Sequence, residues 1–278
     1  MRISCAKCFN YIRSLLEDVK LPFGTITLAI VVIAAYVYAS NGALYLSDTA
    51  LEQLSFSLAS SPAALFTHQF LHVGPLHLLG NLLPLIVFGL LLETVLSSVE
   101  IIVIFLTAGI ISSILFSFTN PLVSLVGAST GVAGLMGAAA VARPKLALSL
   151  LLLTPVILYL VIFPLATDYT RAKTVDLVSQ QQQLTEQVDS LVVQTKSNTS
   201  TQLQEQLAQT QSARQDATQQ RVLVESGKER EHSTPSDFLV HVYGILVGIA
   251  YVALFHQRLV KTGAQEFKRL IAFANRKL

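Results

Sequence analysis

Residues 101–142 read IIVIFLTAGIISSILFSFTNPLVSLVGASTGVAGLMGAAAVA, 42 residues without an Asp, Glu, Lys or Arg. A spanning helix needs ~20 mostly apolar residues, so this run is too long for one element. Asn120-Pro121 marks a turn inside it. The run therefore predicts helix three over about 100–118 and helix four over about 126–142. Arg143-Pro144-Lys145 closes the second, because proline resists helix continuation. Upstream, residues 53–92 form another charge-free run of 40 residues, which holds helix two at about 76–96. Shorter runs at 21–47, 146–167 and 238–257 hold helix one (about 25–40), helix five (about 146–166) and helix six (about 237–256). Residues 41–75 carry Asn41-Gly42 and Ser60-Ser61-Pro62 and read as an interfacial loop with short amphipathic helices.

The composition agrees. Of 278 residues, 52% are hydrophobic and 13% charged, against ~25% charged in average soluble domains. Mean hydropathy is +0.58. This excludes a disordered chain or an ordinary soluble enzyme and gives an all-α membrane protein of six transmembrane helices. The net charge of +2 is too small for a nucleic-acid binder. The two cysteines, Cys5 and Cys8, sit at the N-terminus, so no disulfide framework spans the fold. Their Cys-x-x-Cys spacing is half a zinc site without nearby ligands to complete it, and two reduced thiols is the better reading.

Basic residues set the expected topology. Arg2, Lys7, Arg13 and Lys20 precede helix one, Arg143 and Lys145 follow helix four, and Arg258, Lys261, Lys268, Arg269, Arg276 and Lys277 follow helix six. The loops after helices one and three carry no Lys or Arg. Both termini are thus expected in the cytoplasm and the chain in the plasma membrane. Five regions follow: 1–24, an N-terminal cytoplasmic segment; 25–166, helices one to five; 167–236, an insertion; 237–256, helix six; 257–278, a basic tail. The tail is amphipathic and is expected along the inner leaflet. The insertion has fourteen Gln between Gln180 and Gln220. Leu177, Leu184, Val188 and Leu191 recur at helical spacing, and Leu203 and Leu207 continue more weakly. The segment reads either as a polar helical hairpin or coiled coil, broken at the sequon Asn198-Thr199-Ser200, or as a partly disordered loop.

Polar groups inside a bilayer are costly and mark function by default. His77 and Asn81 lie in the first turns of helix two, Ser129 near the start of helix four and His241 near the start of helix six. Those helices all run in one direction. At 1.5 Å per residue the four side chains share a depth of roughly 5–10 Å. Ser129 and His241 could act as nucleophile and general base, with Asn81 and His77 as donors to an oxyanion. Gly244 and Gly248 on helix six, with Gly127, Gly131, Gly134 and Ala138 on helix four, make small-residue faces through which the helices could touch. The competing reading of these glycines is packing without catalysis.

Residues 66–93, FTHQFLHVGPLHLLGNLLPLIVFGLLLE, resemble the second helix of the rhomboid intramembrane serine proteases, with His72, His77, Asn81 and Glu93 at the family's spacing. GASTGVAGLMGA at 127–138 resembles the family's nucleophile segment, and His241, Gly244 and Gly248 its last-helix pattern. The resemblance implies a six-helix rhomboid-like bundle with a helical or coiled insertion between helices five and six. It implies Ser129 as nucleophile and His241 as base. Asn81 and His77 would form the oxyanion hole with the Ser129 backbone N–H. His72, Gly127, Gly244 and Gly248 would be supporting positions, and Glu93 structural. The substrates would be transmembrane proteins cut in or near a spanning segment, with no metal or cofactor. Three positions depart from the family: Thr130 stands where Gly is usual, Ala133 where an aromatic ring often packs on the histidine, and Ala63-Ala64 where a Trp-Arg pair is common. The insertion is long for the family, and it either gates access, captures substrates or mediates self-association, or is a tolerated surface element. Three rivals weigh less. A channel or transporter would need polar residues reaching the inner half, yet helices two, four and six turn almost purely apolar after their first turns. A catalytically inactive relative that escorts membrane proteins would generally lack Ser or His. A soluble hydrolase would need a strand before Gly127-Ala-Ser129-Thr-Gly131.

Overall fold

The computed structural model describes residues 21–197, 201–233 and 238–275. Cys5, Cys8, the N-terminal basic cluster and the Asn198 sequon lie outside the described residues. In chain order the helices are α1 (Phe23–Ala39), α2 (Asp48–Leu54), α3 (Ala64–Thr67), α4 (Pro75–Glu93), α5 (Ser98–Thr119), α6 (Ser129–Ala142), α7 (Pro144–Ile157), α8 (Phe163–Ser197), α9 (Thr201–Ser233), α10 (Phe238–Phe255) and α11 (Gln257–Asn275). A 3-10 turn, His68–Phe70, follows α3, and a π turn, Leu158–Ile162, joins α7 to α8. Four described stretches are long and apolar enough to cross a membrane: α4, α5, the run from α7 into α8, and α10. The other two apolar helices, α1 and α6, are shorter, at 17 and 14 residues. The bundle is thus helical and apolar as expected, with fewer full-length spans than the six helices read from sequence.

The helix ends have local causes. Pro75 and Pro144 occupy first-turn positions, where a missing N–H costs nothing. Ser97 and Glu100 close a reciprocal capping box on α5. That helix stops at Asn120, ahead of Pro121. Helix four was expected from about 126 and starts at Ser129, because Gly127 adopts φ +116°, a left-handed backbone no helix continues through.

Glu93 holds α1 in place from the end of α4. Its carboxylate accepts from Gly24 N (2.9 Å), Thr25 Oγ1 (2.7 Å) and Ser98 Oγ (2.6 Å). The first amides of a helix have no internal acceptor, and an anion there also meets the positive end of the helix dipole. Glu93→Ala is expected to destabilise the bundle by about 2–3 kcal/mol, the range for a charge-assisted acceptor whose donors are left unmet. Thermal unfolding in detergent measures this. An unchanged midpoint would mean that water replaces the carboxylate at no cost.

The core is shared by Leu28 and Val32 of α1, Leu85, Phe88 and Leu92 of α4, Ile101, Ile104 and Phe105 of α5, and Val132, Leu135 and Ala138 of α6. α6 is wedged among α4, α5 and α10. Its small side chains are what allow three neighbours to approach it at once. The outward faces of α1, α7 and the π turn stay apolar, with Ile30, Tyr38, Leu152 and Leu160 largely exposed, as a lipid-facing surface requires.

Helix five and the insertion, expected as separate regions meeting at 166–167, are continuous. Helical backbone runs from Pro144 to Ser197 through the π turn. That turn lies between Pro155 and Pro164, whose missing N–H groups disrupt the regular ladder. The charges that begin at Asp168 end the apolar stretch but not the helix. α8 and α9 pair into a hairpin, with Leu177, Val188, Ala217 and Val224 buried and Gln181 bonded to Thr218 (3.2 Å) and Arg221 (3.1 Å). At its base Tyr45, from the connection after α1, packs with Leu177 and Val224. Gly227 lies against the Tyr45 ring, where a Cβ would not fit.

Candidate active site

The segment that leads into α6 is strapped to the connection between α1 and α4. Phe56 and Leu125 exchange backbone hydrogen bonds of 2.8 Å in both directions, and Gly127 N donates to the His68 carbonyl at 2.9 Å. The His68 ring is fully buried. Its Nδ1 meets the Ala64 carbonyl at 2.8 Å and its Nε2 meets Ser113 Oγ at 2.9 Å. A carbonyl can only accept, so Nδ1 carries the proton and Nε2 accepts from the serine. His68 therefore joins three pieces: the 64–72 turn, α5 and the turn before Ser129. The sequence reading did not single it out. Its available signal was the spacing of four to His72 within the quoted FTH segment.

His72 is also fully buried. Its Nε2 faces Ala128 N at 3.4 Å, and its ring meets that of His77 edge-on with centroids 5.0 Å apart. Burial holds His68 at a pKa of about 4. Burial and the neighbouring His77 hold His72 at about 3. Both rings are neutral at physiological pH. The sign follows from linkage: the unfolded chain takes up protons first, below about pH 6.5. Stability from these neutral rings is whole above that value and drains away as pH falls toward the folded values of about 4 and about 3. Amide protection in residues 56–74, corrected for intrinsic rate, is expected to fall between about pH 7 and about pH 5 and to stay flat above pH 7. A flat profile throughout would remove this role for the pair.

Of the expected site residues, His77, Asn81 and His72 meet around Gly127–Ser129. A Cβ built on Gly127 would lie 2.6 Å from His77 Nε2 and 3.9 Å from Asn81 Nδ2. The absent side chain at Gly127 is thus what lets His77 reach the turn, with Asn81 at ordinary contact distance beside it. Asn81 Nδ2 gives one hydrogen to the His77 carbonyl at 2.9 Å, and an amide has a second to offer. Ser129 is the first residue of α6 and is half-buried. The carbonyl four residues before it, that of Leu125, accepts from Phe56. The Ser129 N–H therefore belongs to a helix N-terminus, where backbone donors and the dipole favour negative charge.

His241 comes to this place through the packing of α10 on α6. A Cβ on Gly244 would meet the Thr130 carbonyl and, at 3.0 Å, the Ala133 Cβ. One on Gly248 would overlap the Gly134 carbonyl and reach Ala138 N at 3.0 Å. Both positions advance together, so the two helices run parallel in close backbone contact. One turn earlier on the same face, His241 stands beside the start of α6, within electrostatic range of His77. Thr130 and Ala133, the departures noted above, are both buried against α10. A serine at a helix N-terminus, an imidazole beside it and converging N–H donors are the parts of an acyl-transfer site. Among the described residues, no group of three His, Cys, Asp or Glu side chains is placed to hold a metal ion.

The family model described as Rhomboid domain matches residues 59–177. Over these residues the chain is similar to the rhomboid domain. Among curated relatives, the mouse protein named Rhomboid-related protein 2 is 41% identical over 71 residues. That stretch spans 26% of this chain and 24% of the relative, so the similarity covers about a quarter of each. No solved structure matches. With its apolar helices, the rhomboid match makes this an integral membrane protein. His72, His77, Asn81 and Ser129 lie inside the matched rhomboid stretch. His241, Gly244 and Gly248 lie beyond it, and their relation to the rhomboid domain rests on the register of α10 against α6.

Proposed function

We propose that this chain is an intramembrane serine endopeptidase that cuts transmembrane proteins in or near a spanning segment. The observation that supports the reading is the seating of Gly244 on Thr130 and Gly248 on Gly134, with His241 one turn before Gly244 on the same helix and Ser129 one residue before Thr130. In this reading Ser129 Oγ attacks the scissile carbonyl while His241 takes its proton. The oxyanion is met by the Ser129 N–H and by Asn81 and His77. His241 then protonates the departing amine, and a water, deprotonated by the same ring, releases the acyl group. His72 and Gly127 hold the turn in shape. Both termini are assigned to the cytoplasm from the placement of Lys and Arg, and the chain is proposed to lie in the plasma membrane. The α8–α9 hairpin then projects outside, where it would recruit substrates or join copies.

The second reading, a binding or escort protein without activity, has one observation in its favour: Ala133, not a ring, packs beside Gly244, the glycine one turn after His241. One experiment separates the two. Purified chain in liposomes is offered labelled spanning-segment peptides, and Ser129 is probed with a fluorophosphonate. Cleavage with labelling at Ser129 supports the protease. Neither cleavage nor labelling, in protein whose helices are intact, favours the escort reading.

A further inference from the structure

The last described helix has an apolar stripe that the protein covers only in part. α11 begins at Gln257, immediately after α10 ends at Phe255, so it starts where the spanning segment stops. Between them His256 pairs with Glu100 at the start of α5, at 2.5 Å. The first half of α11 is docked. Leu259 and Val260 pack on the core. A Cβ built on Gly263 would overlap the Val141 carbonyl and come 3.4 Å from Pro144, so the place is open only to a residue without a side chain. α11 therefore lies at the level of the Arg143–Lys145 turn, at the membrane surface. Its second half carries the same stripe onward through Phe267, Leu270 and Ile271, and Phe267 and Ile271 are 52% and 47% exposed. Arg258, Lys261, Lys268 and Arg269 are all exposed on the other arc, against the single acid Glu266.

We propose that α11 docks on the anionic headgroups of the leaflet that holds the Arg143–Lys145 turn, with its apolar stripe divided at Gly263 between the protein core and the acyl chains. The charge identifies the occupant. Four cations and one acid complement an anionic lipid surface. A second copy of this helix would bring like charge against like charge. The lipid contact also reaches α6 directly, because Gly263 touches the residue next to the end of the helix that begins at Ser129. The binding is independent of whether Ser129 is catalytic.

The test is hydrogen exchange of the full-length protein in nanodiscs of phosphatidylcholine, with and without phosphatidylglycerol. Amides of 265–275 are expected to exchange at least about tenfold more slowly with the anionic lipid. Raised salt should abolish the difference, as should the triple variant K261Q/K268Q/R269Q, while the lysine variant K173Q/K228Q on the hairpin keeps it. Protection of residues 98–119 reports that each variant is folded. Equal exchange in the two lipids would overturn the proposal. So would protection that rises with the number of copies per disc, which would make a second copy the partner.

Discussion

Ser129→Ala is expected to lose at least ~10³-fold in cleavage rate, and adding His241→Ala should cost little more. On the proposed protease reading, nucleophile and base act as one unit. An unactivated hydroxyl is a weak nucleophile, and an imidazole with nothing to deprotonate is idle. The residual rate would be what Asn81, His77 and the helix N-terminus contribute in the proposed reaction by holding the carbonyl. Single-turnover cleavage in liposomes, with hydrogen exchange to verify folding, measures the double-mutant cycle. Fully additive losses would mean that the two side chains act separately. His241 would then serve as a packing residue or substrate contact, and the base would have to be sought elsewhere.

Gly248→Val should have the next largest effect, from a position that touches no reacting atom. A Cβ there overlaps the Gly134 carbonyl and presses on Ala138 N. Both belong to backbone that cannot turn aside, so α10 must retreat from α6. Overpacking of this kind costs about 1–3 kcal/mol, and a misplacement of about 1 Å between reacting groups can cost 10²-fold in rate. We expect cleavage to fall at least ~10²-fold, with a lowered thermal midpoint. Gly80→Ala is the control, because its added methyl meets the Phe163 ring at an ordinary 3.8 Å and should leave cleavage near wild type. If Gly248→Val cut at full rate, the approach of α10 to α6 would not set the geometry of the pair.

The charge-free runs carry most of the fold because burial in lipid constrains composition directly. Prolines and the Ser97 capping box then punctuate the runs, so α1, α4, α5 and α10, and the start of α7, are legible within a few residues. Where the reading slipped, the decisive fact was not local. Helix four looked continuous from 126 because nothing in Val126-Gly127-Ala128 shows that the Gly127 amide reaches across to His68. The break expected near 167 followed the onset of charge, yet charge alters where a helix may sit and leaves its backbone hydrogen bonds untouched. The same limit hid the contacts of Glu93 with Gly24 and of His68 with Ser113, separated by 69 and 45 residues. His77, Asn81, Ser129 and His241 stood out because polar side chains at one depth in apolar helices are conspicuous. His68 did not, because its polarity is spent on holding turns together.

The unbroken helix from Pro144 to Ser197 has a mechanical consequence. A stiff rod gripped at an intermediate point is a lever, and here the fulcrum is the Tyr45 contact at Leu177. The arm from Leu177 out to Ser197 is about 30 Å long, and the arm back to Phe163 is about 21 Å, at 1.5 Å per residue. A sideways push on the hairpin tip arrives at Phe163 reversed in direction and reduced to roughly two-thirds. The Phe163 ring faces Gly80, the residue before Asn81, at the distance where a Cβ on that glycine would make ordinary contact.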